Sequence, residues 1–246
     1  MSAASNGPMK LTVVIAAYNE AENIGPLTSR LVSTLNGMAD SRWELIYVIE
    51  GTDDTRLIAQ SFADRRHPIR ILYDAEPSGL GNAFRKGFGA VARDSEVVIT
   101  LDADLNHRPE EIPKLVQALS ERKADIVVGS RKVDGSITEG TPLWKRLLSG
   151  GFSGSMTRLI GMPVDDLTSG YRVYRYDALR QLPFETTGFA FLPEMLMRAH
   201  VLGLCIVEEP IHFTHRIAGR SKLKLLPTAW SYLVLLWKFS IWSFRR

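Results

Sequence analysis

A chain of 246 residues with 45% hydrophobic side chains has enough apolar surface for a substantial core, which excludes a disordered or fibrous protein. The 30 basic and 27 acidic residues leave a formal charge of +3 spread along the whole length, so no electrostatic footprint for nucleic acid stands out. The single cysteine, Cys205, cannot form an internal disulfide, and its place in the apolar run Leu202–Val207 predicts a buried structural thiol.

Met1 to Pro8 are small and polar, without the basic start and apolar stretch of a secretory signal, so residues 1–9 are expected to be a flexible N-terminus of a protein that stays on the cytoplasmic side. Leu11–Ala17 is an apolar, β-branched run that predicts a strand, and a helix over Glu22–Leu35 follows it. Further strands are predicted at Glu44–Ile49, Ile69–Tyr73, Glu96–Leu101 and Asp125–Val128, separated by helices at Thr55–Asp64, Gly81–Ala92 and Glu110–Arg122. This alternation predicts an α/β fold with a mostly parallel central sheet flanked by helices. In such sheets ligands bind beyond the carboxyl ends of the strands. The residues there are polar: Tyr18-Asn19-Glu20, Glu50-Gly51-Thr52-Asp53, Asp102-Ala103-Asp104 and Gly129-Ser130-Arg131.

Asp102-Ala103-Asp104 is the strongest single feature. Two carboxylates one residue apart after a buried strand can turn toward one hard cation, Mg2+ or Mn2+, with Asn106 as a further oxygen ligand, and such an ion also binds a diphosphate. Gly79-Leu80-Gly81 opens a helix and could cradle phosphate, but it lacks the rest of a dinucleotide fingerprint; no Walker A lysine pattern is present. Arg131, Arg146, Arg216, Arg220 and Lys222 concentrate positive charge in the second half, suited to phosphate oxygens. His107, His200, His212 and His215 have no zinc spacing and read as structural or solvent-facing. Gly151-Phe152-Ser153-Gly154-Ser155 does not place its glycines for a nucleophile elbow, which discounts serine hydrolysis.

Leu225–Trp237 is free of charge and is followed by Lys238, a second apolar patch and Arg245-Arg246. The charge-free stretch is too short for the roughly 30 Å of a bilayer core. Its aromatics, Trp230, Tyr232, Trp237, Phe239, Trp242 and Phe244, suit an interface, so residues 223–246 are expected to form an amphipathic helix lying on a membrane surface. A helix packed against the domain or a partner subunit is the alternative.

From about Leu11 to Lys222 the chain resembles family 2, GT-A-type (Rossmann-like) glycosyltransferases of the dolichol-phosphate mannose synthase group. Six motifs in family order carry the resemblance: Ala16-Ala17-Tyr18-Asn19-Glu20, Gly79-Leu80-Gly81-Asn82-Ala83, Asp102-Ala103-Asp104-Leu105-Asn106-His107, Gly129-Ser130-Arg131, Asp166-Leu167-Thr168-Ser169-Gly170-Tyr171-Arg172, and Arg216-Ile217-Ala218-Gly219-Arg220-Ser221-Lys222. The resemblance implies one glycosyltransferase domain over residues 10–222 that transfers mannose from GDP-mannose to a polyprenyl phosphate of the dolichyl type, with inversion, at the cytoplasmic face of a membrane. It implies that Ala16, Tyr18, Glu20, an acid after the second strand (Glu50 or Asp53), Asp102 and Ala103 hold the donor, and that Asp102, Asp104 and Asn106 hold the metal. Arg131, Arg146, Ser149 and Lys222 would meet the acceptor phosphate, and Asp104, Arg131, Arg146 and Arg216 form the catalytic set. Segment Asp165–Tyr171 would line the sugar pocket. Ala16 stands for the family's usual proline, Ile49-Glu50 for two aspartates and Asn106 for a glutamine. A UDP-glucose donor and an inactive sugar-nucleotide-binding subunit of a membrane complex are the rival readings; a membrane-anchoring partner protein is compatible with either.

Overall fold

Leu11, Val13, Val14 and Ile15 are all inaccessible to solvent, as an apolar run requires when both faces of its sheet are covered. In the computed structural model, which describes residues 7–140, 161–214 and 234–239, they lie in β1 (Met9–Tyr18). Parallel strands β2 (Ser41–Glu50), β3 (Ile69–Asp74) and β4 (Val97–Thr100) are reached through α1 (Ala21–Asn36), α2 (Thr55–Ala63) and α3 (Leu80–Gly89). Beyond β4 a 3-10 turn, Pro109–Glu111, leads into α4 (Ile112–Glu121) and β5 (Ile126–Ser130). All nine elements expected from periodicity are present, with shifted ends.

The remaining strands depart from the simple alternation. β6 (Ile137–Glu139) is followed by β7 (Arg172–Arg175), α5 (Tyr176–Leu179), α6 (Phe191–Val201), β8 (Ile206–Pro210) and β9 (His212–Thr214). The main sheet has the order β3-β2-β1-β4-β7-β5-β8, and β6 pairs with β9 in a second, two-stranded sheet. β7 runs antiparallel to both β4 and β5, whereas β5 and β8 are parallel. This inversion carries the chain just before β7 to the edge where β4 and β5 end.

Side chains alternate between two cores. Val13, Ile15, Leu45, Tyr47 and Ile99 pack with Ile24, Leu27 and Leu31 of α1 and Leu115 of α4. Val14, Ile46, Val98 and Val128 pack on the opposite face with Phe84 of α3 and Met195 and Leu196 of α6. Arg172 is fully buried in this second layer, where its guanidinium donates to the carbonyls of Leu167, Ser169 and Leu192. It thereby fastens the 167–169 turn to α6 by charge-assisted hydrogen bonds.

Cys205 is exposed, contrary to the expectation of a buried thiol. The apolar run that suggested burial begins as a turn and enters β8 only at Ile206: Leu202 is 51% exposed, and the Cys205 N–H donates to Asp125 Oδ2 at 2.8 Å. At the C-terminal end, residues 234–239 are helical. Leu235 and Phe239, one turn apart, are buried in the second core, and Phe239 stacks on His200 at 6.4 Å between centroids. Trp237 on the other side is 66% exposed. The described part of the tail therefore packs on the domain through one face and presents an aromatic through the other. Among the described residues no helix is long and apolar enough to cross a membrane.

Candidate active site

Parallel strands β1, β2, β4 and β5 end on one edge of the sheet, and antiparallel β7 begins there. Tyr18, Glu50, Asp102, Arg131 and the Asp166–Tyr171 segment are therefore brought to a single crevice. Polar side chains fix the turns on its β1–β2 side. Asn19 adopts a left-handed backbone (φ 50°), and its Oδ1 accepts the Thr52 and Asp53 N–H groups at 3.1 and 3.4 Å. Gly51 (φ 104°) lies against that carboxamide so closely that a Cβ would overlap it. Asp53 ties the two turns together, accepting from the Ala21 N–H at 3.1 Å and the Thr55 N–H at 3.0 Å. The Glu20 N–H donates to Thr55 Oγ1, and the Glu20 carboxylate accepts from Asn23. Tyr18 is the register partner of Glu50 and is 39% exposed.

Glu50, expected as a donor-binding acid, is buried and turned toward α3. It accepts the Ser78 N–H at 3.0 Å and the Ser78 hydroxyl, and Lys86 Nζ lies 3.4 Å away while also reaching Asp74 at 3.1 Å. The Pro77–Gly81 turn is thus pinned to the end of β2. Its glycines serve a second close approach: the Gly81 N–H donates to Thr187 O at 2.7 Å, and a Cβ on Gly81 would overlap the Thr186 carbonyl. That N–H is engaged by protein, so Gly79-Leu80-Gly81 is a docking turn for residues 185–187. Buried Glu194 holds the same segment, accepting the Glu185 and Thr186 N–H groups at 3.0 and 2.9 Å.

Asp102 and Asp104 follow β4. Asp102 keeps 37% of its side chain exposed, and Gly170 leaves it room: a Cβ there would sit 2.6 Å from Asp102 Oδ1. Asp104 Oδ1 accepts the Asn106 N–H at 3.2 Å and Oδ2 the Asn106 amide at 2.8 Å, across a turn in which Leu105 takes a positive φ of 61°. Ala103 between them is buried. Asn106, expected as a third oxygen ligand, donates its amide to Asp104 Oδ2, and its Oδ1 is buried with no hydrogen-bond partner. His107 is fully buried, and burial pushes its imidazole down to about 4, only partly opposed by the Asp104 charge.

Arg131 follows β5 directly and forms a fork with Asp166, donating from Nε and Nη2 at 2.7 Å each and from Nη2 to Thr168 Oγ1 at 2.8 Å. Its guanidinium also lies over Phe213 at 5.2 Å. Burial alone would raise the Asp166 carboxyl, but the Arg131 charge and hydrogen bonds, with Lys132, hold it well below the usual carboxylate range. Glu208 fastens this segment in turn, accepting the Asp165 and Asp166 N–H groups at 2.8 and 2.9 Å.

Arg146, Ser149, Arg216 and Lys222 lie outside the described residues. The strands that lead toward them are paired: Glu139 in β6 is the register partner of Thr214 in β9, and the Thr214 N–H donates to Asn106 O at 3.0 Å. Sequence reasoning missed the pinning of Glu50 by Ser78, the docking of Thr187 on Gly81 and the burial of His107 beside Asp102. The adjacency of His107 to the Asp-Ala-Asp turn was the available signal.

Two carboxylates at an open crevice suit a hard divalent cation whose remaining positions are filled by phosphate oxygens and water. The supported Asp104 and the cleared space around Asp102 fit that use. Among the described residues no group of three or more His, Cys, Asp or Glu side chains is arranged for a metal.

Residues 12–183 match Glycosyl transferase family 2. The chain is 32% identical over 239 residues to a dolichol-phosphate mannosyltransferase of Pyrococcus furiosus, covering 96% of this chain but only 65% of that relative. It is 33% identical to an undecaprenyl-phosphate mannosyltransferase of Micrococcus luteus, covering 87% of this chain and 88% of the relative. A polyprenol monophosphomannose synthase of Mycolicibacterium smegmatis is also 33% identical, over 86% of this chain and 80% of its own length. Among solved structures, glucosyl-3-phosphoglycerate synthase from Mycobacterium tuberculosis with Mn2+, uridine-diphosphate and phosphoglyceric acid superposes with a TM-score of 0.69 at 21% identity, over 94% of this chain and 78% of that one. That likeness shows the shared fold.

Proposed function

The chain belongs to glycosyl transferase family 2, and from that premise we propose that it transfers mannose from GDP-mannose to a polyprenyl phosphate, with inversion, at the cytoplasmic face of a membrane. The observation that carries the reading is that all three relatives are mannosyltransferases or mannose synthases named for a polyprenol-type acceptor. An acceptor phosphate monoester has a second pKa near 6, so at neutral pH it is already largely an anionic nucleophile and needs no strong general base. One of its oxygens bonds to the anomeric carbon as the bond from that carbon to the nucleoside diphosphate breaks.

The protein's task is to align two anions and offset their repulsion. Asp102 and Asp104 are the residues that would hold Mg2+ or Mn2+, an ion that supplies charge stabilisation to a departing diphosphate. Tyr18 and the turn fixed by Asn19 and Asp53 border the nucleotide. Arg131, aimed by Asp166, faces the acceptor phosphate, with Arg146, Ser149, Arg216 and Lys222 contributing from the segments beyond β6 and β9. The aromatic tail brings the crevice to the lipid surface.

A panel of radiolabelled GDP-mannose and UDP-glucose with one polyprenyl phosphate, run with and without EDTA, tests the proposal. Transfer from GDP-mannose that EDTA abolishes is the expected result. Preference for UDP-glucose would overturn the donor, and full activity in EDTA would overturn the metal.

A further inference from the structure

Arg131 is held from two directions. Along one edge of its guanidinium, Nε and Nη2 donate to Asp166 at 2.7 Å each and Nη2 donates to Thr168 Oγ1 at 2.8 Å, so these partners fix the group within its own plane. Hydrogen bonds along an edge do little against a tilt of the plane about that edge. The second contact acts there: Arg131 Cζ lies over the ring of Phe213, 5.2 Å from its centroid. A cation over an aromatic face is drawn to the negative face of the ring, an attraction directed across the guanidinium plane.

Phe213 comes to the arginine from another part of the chain than Asp166. It is the central residue of β9 and is 8% exposed, and its main chain bridges His107 and pairs with Thr138 of β6. The Thr214 N–H donates to Asn106 O at 3.0 Å, and the Phe213 ring packs on His107 with centroids 5.4 Å apart. Asn106 in turn donates its main-chain N–H and its amide to Asp104. One aromatic ring therefore stands between the arginine that follows β5 and the turn that carries Asp102 and Asp104. A leucine would satisfy the apolar burial of this position but would offer no face to a cation. We infer that Phe213 is a positioning residue for the transfer: its ring sets the tilt of the Arg131 guanidinium, and with it the place of the acceptor phosphate relative to the Asp102–Asp104 turn. Two reactants held at a fixed separation and angle are what an in-line displacement requires. The inference rests on the reading that Arg131 meets the acceptor phosphate.

Steady-state kinetics with undecaprenyl phosphate as acceptor and the better of GDP-mannose and UDP-glucose as donor tests this, with thermal unfolding of each variant measured in parallel. Phe213→Leu keeps an apolar side chain and removes the face. Its KM for undecaprenyl phosphate should rise by about 2- to 30-fold while its KM for the donor stays at the wild-type value. Replacing Phe213 by phenylalanine with one, two or three ring fluorines keeps the shape and withdraws charge from the face stepwise. The acceptor KM should rise with each fluorine at an unchanged thermal midpoint, which packing alone would not produce, and this series carries the test should Phe213→Leu not fold. A wild-type acceptor KM throughout the fluorinated series, or donor and acceptor KM values that rise alike, overturns the inference. Arg131→Lys separates the two levels: if it raises the acceptor KM while the fluorinated series does not, only the positioning role fails. If it leaves the acceptor KM at the wild-type value, or if the wild type transfers no sugar to undecaprenyl phosphate, the acceptor assignment fails and the inference with it.

Discussion

Arg131 and Asp166 are joined by two parallel hydrogen bonds of 2.7 Å, one partner 25% exposed at the crevice and the other completely buried behind it. The arrangement is asymmetric, because the arginine can regain water and the carboxylate cannot. Removing Arg131 strands a buried charge, so Arg131→Ala should destabilise the fold by about 3–5 kcal/mol as well as impair transfer. Arg131→Lys keeps the charge but not the fork, and should lie between Arg131→Ala and the wild type in both respects. Denaturant unfolding of the three proteins checks the order; a wild-type midpoint for Arg131→Ala would show that the pair contributes nothing net.

The same carboxylate sets a pH dependence. The folded pKa of Asp166 lies well below the ordinary value, since the Arg131 charge and hydrogen bonds outweigh the desolvation that opposes them. A group depressed in the folded state contributes stability that is fully present above its unfolded pKa, about 3.9, and is lost as pH falls from there toward the folded value. The stability gap between wild type and Asp166→Asn should therefore be constant near neutrality and shrink below about pH 4. Urea midpoints across that range measure it. A gap that widened on acidification would contradict the ion pair.

Two glycines of α3 should respond in opposite directions. A Cβ on Gly81 meets the Thr186 carbonyl, whereas a Cβ on Gly89 meets nothing within 4 Å. Gly81→Ala must displace the segment held by Glu194, at about 1–3 kcal/mol. Gly89→Ala removes only backbone freedom at the end of the helix and should stabilise by up to about 1 kcal/mol. Thermal midpoints of the two variants decide, and equal shifts would exclude the close docking of residues 185–187 on the turn.

The sheet of β1 to β5 was legible because its strands are apolar runs divided by amphipathic helices, and periodicity reports both. β7 was not, since its four residues begin and end in arginine and the first is buried by hydrogen bonds to carbonyls, a pattern that reads as surface. α6 was hidden for the opposite reason: Phe191 to Met197 are buried without interruption, leaving no polar stripe to give a helical period. At the crevice, Asp102 and Asp104 were legible from their place after a strand. The turning of Glu50 toward Ser78 was not, because sequence places a residue at a strand end without saying which neighbour consumes its charge.

Within six residues the tail has one face buried on the domain and another exposed. Leu235 and Phe239 are buried against α6, so truncation to alanine should cost about 2–5 kcal/mol through the cavity left behind. Trp237, 66% exposed on the other side, should cost less than about 1 kcal/mol when replaced by alanine. If the exposed face meets a bilayer, Trp237→Ala should instead lower recovery of the protein with liposomes in a flotation assay, since tryptophan is favoured at the headgroup level. The Lys238–Glu185 pair at 2.7 Å is largely exposed and holds the helix in orientation more than it stabilises it. Unchanged flotation of Trp237→Ala, together with a thermal loss as large as that of Phe239→Ala, would mean that the tryptophan packs on protein and not on a bilayer.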